Sequence, residues 1–147
     1  RAVDAPVLLT HGKTVHPELQ AELTRLGAKH LLVIGGEAAI SKETADAYGQ
    51  GRSLTRLGGK NRYDTAAVIA AHFHKTAHTA YLATGEKFPD ALTAGLVAAR
   101  NHAPLLLTKR DELRNEARAY FTKAGVKKVI LIGGTNAITD RVVKDMK

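Results

Sequence analysis

The chain has 147 residues, 44% hydrophobic but only 5% aromatic, with no tryptophan, enough aliphatic material for one ordinary core. It has no cysteine, which excludes disulfide stapling, thiol catalysis and cysteine-ligated metal, and no apolar run approaches the roughly 18 residues that span a bilayer. The net charge is +8, and it is uneven: residues 1–55 hold six Lys/Arg and six Asp/Glu, leaving 16 against 8 in residues 56–147, a bias that attracts polyanions of any kind and weakens with salt.

In chain order, Val7 to Thr10 reads as a short buried strand, being a brief aliphatic run bounded by polar residues. Leu19, Leu23 and Leu26 recur at helical spacing up to Gly27, a glycine placed to stop the helix. His30 to Ile34 is a second strand and runs into Gly35-Gly36. Thr65 to Lys75 is an Ala-rich helix, Ala80 to Ala83 a strand, and Asp90 to Asn101 another Ala-rich helix. Leu105 to Thr108 is a strand; Leu113, Ala117, Tyr120 and Phe121 mark a helix stopped at Gly125; Lys128 to Ile132 is the last strand and runs into Gly133-Gly134. Strands alternating with helices of this length imply right-handed crossovers, so the expected fold is α/β, a Rossmann-like three-layer domain with a mainly parallel sheet. Its ligand-facing loops would lie at the carboxyl ends of the strands.

The chain also repeats itself. Residues 5–41 align without a gap on residues 103–139, an offset of 98, and 15 of the 37 positions are identical. Residues 42–102 have no second copy, so residues 1–55 read as the C-terminal half of a preceding repeat and residues 56–147 as one complete repeat, the two together forming one compact α/β unit. A repeat entered part-way implies that the natural protein continues in the N-terminal direction. The opening RAVDAPVLLTHG has no signal-peptide pattern, which fits either a cytoplasmic protein or one whose leader has been removed, and the repeat favours removal.

The motifs argue against chemistry. The turns GGEAAIS and GGTNAIT follow strands but supply neither GxGxxG nor a GK[ST] lysine and hydroxyl, so they read as tight turns into the next segment. In RLGGKNRYDTAA, Arg56, Lys60 and Arg62 surround a glycine turn. They can grip phosphate or carboxylate, or the arginines can pair with Asp64 or Asp90 to fix the loop. In LATGEKFPDAL, Pro89 and Asp90 suit a first helical turn, where an acid complements the helix dipole. Glu86 is the nearest second carboxylate, weak grounds for hydrolysis. His72, His74 and His78 lack metal-ligand spacing, and Ser41 and Ser53, the only serines, sit in no nucleophile elbow. Neither a metal nor a cofactor is expected. Nor is nucleic acid: no stacking aromatics or recognition helix accompany the charge.

Taken in order and spacing, RLGGKNRYDTAA, YLATGEKFPDALTAGLVAARNHAPLLLT and KKVILIGGTNAIT resemble the bacterial cell-wall-binding repeat family, type 2. The resemblance covers residues 56–139, and residues 5–41 resemble the later half of a preceding repeat. It implies a non-catalytic module of a secreted Gram-positive protein, bound non-covalently at the cell surface to an anionic wall polysaccharide or teichoic-acid-like polymer, with neighbouring repeats packed in a trimer-like arrangement. The matching positions are Arg56, Gly59, Arg62, Tyr63, Thr65 and Ala66, then Gly85, Pro89, Asp90 and Ala91, then Pro104 to Leu107, then Gly133 and Gly134. Asn61 stands where the family commonly has Asp. Polymer contacts are expected from Arg56, Lys60, Arg62 and Tyr63 with Lys109 and Arg110 after LLLT, and a structural role from Gly59, Thr65, Gly85, Pro89, Asp90, Gly133 and Gly134. The competing expectations are a surface-layer scaffold and a Rossmann-like enzyme using Glu86 or Asp90.

Overall fold

In the computed structural model, residues 5–146 are described. The order is α1 (Pro17–Arg25), β1 (His30–Ile34), α2 (Lys42–Gly49), β2 (Ser53–Leu57), α3 (Arg62–Phe73), β3 (Thr79–Thr84), α4 (Phe88–Arg100), β4 (Leu105–Thr108), α5 (Asn115–Ala124), β5 (Lys128–Ile132) and α6 (Asp140–Lys144). All strand pairings are parallel: β1 lies beside β2 in a two-stranded sheet, and β3 sits between β4 and β5 in a three-stranded one. The α/β, Rossmann-like expectation holds.

The core of the second sheet forms because β3 is buried from Ala80 to Thr84 and is sandwiched. Ala80, Leu82 and Leu106 are completely buried and join Ala70 of α3, Ala117 and Tyr120 of α5, and Val142 of α6. Burying a leucine of this kind contributes about 1.5–3 kcal/mol. Tyr120 takes its polar end into the core by donating to the His74 carbonyl at 2.7 Å, so α5 is tied to the C-terminal end of α3. Gly125, with φ of 72°, ends α5 in the left-handed conformation that glycine adopts without strain.

Around the first sheet, Tyr48 is the buried anchor: its hydroxyl meets Thr10 Oγ1 at 3.0 Å and accepts from the His16 amide at 2.8 Å. Arg52 donates to the carbonyls of Ala28 and Tyr48, closing the turn before β2.

The duplication is structural as well as sequential. The Ser41 amide donates to Gly12 O at 2.7 Å, and the Thr139 amide to Arg110 O at 2.8 Å, the same bond displaced by 98 residues. The turns after β1 and β5 likewise repeat: Ile40 donates to Gly36 O and Ile138 to Gly134 O.

One expected strand is absent. Val7 to Thr10 has no strand pairing, and Val7 and Leu9 are 88% and 90% exposed. Its copy, β4, is held by β3, whereas among the described residues no strand lies beside Val7–Thr10. Leu32 and Ile34 of β1 are exposed; α4 packs on β3 and β5, and among the described residues no counterpart of α4 covers the first sheet.

Candidate functional site

The carboxyl ends of β3, β4 and β5 open onto loops 85–87, 109–114 and 133–139, with the start of α3 alongside. Two buried threonines end the strands and shape these loops. Thr84 Oγ1 accepts from the Glu86 amide, and Thr108 donates to the Glu112 carbonyl at 2.7 Å while accepting from the Arg114 amide. The loop after β3 is clasped from two sides, since Gly85 donates to Thr108 O and its own carbonyl accepts from Arg62 Nη1. Gly85 is required by close approach: a Cβ there would stand 2.7 Å from the Tyr63 ring.

Helix α3 enters this edge through Asn61, whose Oδ1 accepts from the Tyr63 and Asp64 amides at 2.9 Å. Asparagine caps a helix as well as aspartate does. The turn before it is closed by Thr65 Oγ1, which accepts from the Gly59 amide, and by Asp64, which accepts from the Lys60 amide.

Several charges at this edge are already matched. Lys109 pairs with Glu112 at 2.9 Å, and Arg114 pairs with Glu112 and Glu116 while lying 5.1 Å above the Tyr63 ring. The hydrogen bond from Lys109 holds the Glu112 carboxyl below the usual carboxylate range, and Glu112 raises Lys109 in return. The Lys109–Glu112 pair is largely exposed and contributes little to stability, whereas Arg114 and Glu116 are 24% and 19% exposed and form the more sheltered pair. By contrast, Lys60 and Arg110 are exposed and, among the described residues, in no ion pair; Arg110 Nε donates only to the Asn136 carbonyl.

Five of the six expected contact residues thus lie at or beside this edge: Lys60, Arg62, Tyr63, Lys109 and Arg110. Arg56 does not point there. Its guanidinium donates to Gly35 O and Ile40 O at 2.9 Å and to Ser41 O at 3.4 Å, fastening β2 to the turn after β1. Among the described residues, no ion pair joins Asp90 to Arg56 or Arg62. Asp90 lies instead in the first turn of α4 beside Gly133, where an added Cβ would come 3.3 Å from the carboxylate. Pro89 shares that first turn. The Arg114–Glu112–Glu116 cluster was not singled out from sequence; only the alternating charges of Glu112, Arg114 and Glu116 foreshadow it.

An apolar groove of about 500 Å³ runs between α3, α4 and β4, lined by Ala66, Ile69, Phe73, Ala91 and Leu105 among others. Its titratable lining residues are His74 and His102, at the C-terminal ends of α3 and α4. Among the described residues no group of three or more His, Asp or Glu side chains could hold a metal ion, and no helix is long and apolar enough to cross a membrane.

Residues 56–143 match the family described as Cell wall binding domain 2. The chain belongs to that family. It is 30% identical over 140 residues to N-acetylmuramoyl-L-alanine amidase LytC of Bacillus subtilis, covering 95% of this chain and 28% of that protein. It is also 30% identical over 147 residues to the Amidase enhancer of the same organism, covering all of this chain and 20% of the relative. Its fold is that of a part of Cwp6 from Clostridium difficile, with a TM-score of 0.78 at 22% identity, over 89% of this chain and 21% of that one. The cell-wall-binding module thus spans under a third of these relatives, and it belongs at the cell wall or cell surface.

Proposed function

We propose that the chain is a non-catalytic anchor, holding a secreted surface protein non-covalently to an anionic wall polymer. Family membership supplies the wall; the observation that favours an anionic ligand is the cationic excess of residues 56–147, 16 against 8, with Lys60 and Arg110, which form no ion pair among the described residues, beside the strand-end loops. Lys60, Arg62, Lys109 and Arg110 would contact repeated phosphates or carboxylates through several weak, screened interactions, and Tyr63, packed beneath Arg114, would offer its ring edge to sugar. Arg56 would act indirectly by fixing β2. Residues 1–55 would complete a preceding repeat and 56–147 form the next, with neighbouring repeats packed in a trimer-like arrangement that multiplies weak contacts. Sedimentation with purified Gram-positive walls tests this reading. The protein is expected to pellet with intact walls and to stay in solution once their anionic polymers are extracted; equal pelleting with both would overturn it.

A further inference from the structure

We infer that the outer edge of β5, with the Gly133-Gly134 turn behind it, is a socket for a parallel strand of the Ser-Leu-Thr-Arg-Leu-Gly-Gly pattern carried by a further repeat. The inference rests on the duplication and is independent of which polymer is bound.

β5 is the copy of β1 at an offset of 98, and β1 is filled on one edge by β2, in register from His30↔Ser53 to Ile34↔Leu57. Among the described residues, β5 has β3 on one side only. Lys128 donates to His78 O, so the even-numbered amides of β5 face β3, and those of Val129, Leu131 and Gly133 face outward, because alternate groups on a strand point to opposite edges. The copies agree: Gly35, the counterpart of Gly133, donates to Leu57 O of β2 at 2.9 Å.

Behind the edge, the turn keeps the acceptors that hold β2 in the first half. There Arg56 binds the carbonyls of Gly35, Ile40 and Ser41, whose counterparts are Gly133, Ile138 and Thr139. Gly36 is blocked by Gly59 O, which would collide with a Cβ at that position, whereas at Gly134 nothing lies within 4 Å of the equivalent point. The buried Thr139 Oγ1 has no hydrogen-bond partner. An exposed edge with unpaired amides is a template for strand addition, and here the incoming sequence is specified by the chain's own β2.

The test extends the full chain after Lys147 by the decapeptide QGRSLTRLGG, which repeats residues 50–59 at the offset of 98. A second extension reads QGRSLTALGG and lacks the arginine. Amide hydrogen exchange is followed by NMR. The first extension is expected to slow exchange at Val129, Leu131 and Gly133 by about tenfold or more, and the second by clearly less. Unchanged exchange at these three amides, or equal slowing by both extensions, would overturn the proposal.

Discussion

Arg56 and Lys60 lie four residues apart and do different work. The Arg56 guanidinium satisfies three carbonyls of one turn, while the Lys60 side chain stands in water. Arg56→Ala should therefore lower unfolding free energy by about 2–3 kcal/mol, since hydrogen bonds to a charged donor are lost and half-buried carbonyls are left unmatched. Lys60→Ala should stay within about 0.5 kcal/mol. Urea denaturation of the two variants checks this, and equal stabilities would contradict the assignment. Sequence could not separate these residues, because the motif shows charge around a glycine turn and not which cation folds back onto backbone. Asn61 is a similar case: its capping of α3 required the geometry.

At the scale of elements, the sequence revealed what could be buried better than what is buried. Leu105–Thr108 and Lys128–Ile132 form strands over the expected residues, as continuous aliphatic runs flanked by turn residues. β2 was missed because Ser53, Thr55 and Arg56 break its apolar run, and their burial alternates along a strand with a single partner. Val7–Thr10 has the composition of a strand, yet composition cannot supply the neighbour that pairs with it. The short helices α2 and α6 carry too few apolar positions to show a period. The junction of α3 and α5 carries a pH dependence. His74 closes α3, and burial, reinforced by the nearby His102, lowers its imidazole from the ordinary value of 6.5. A group lowered on folding favours the neutral form, so its contribution is full above pH 6.5 and is lost as pH falls below that value. Between pH 7.5 and 5.5 the urea midpoint of the wild type should decline, and that of His74→Gln should decline less; parallel slopes would contradict this.

Over the whole molecule, the excess charge that was evident in the sequence becomes a location. Parallel strands deliver their following loops to one edge, so Arg62, Lys109 and Arg110, distant in sequence, meet beside the glycine loop after β3. That much followed from the alternation of elements. The offsetting carboxylates of Glu112 and Glu116 did not, and they leave Lys60 and Arg110 as the charges most available to a ligand. The central claim is that this edge binds wall polymer electrostatically, and it is tested most directly by binding to isolated walls across a sodium chloride series. The comparison is between the wild type and a variant with Lys60, Lys109 and Arg110 all changed to Glu, Arg56 and Arg62 being kept because they hold backbone. Wild-type binding is expected to fall steeply with salt, and the variant to bind at least about tenfold more weakly at low salt. Binding that is equal in both proteins and indifferent to salt would contradict the account.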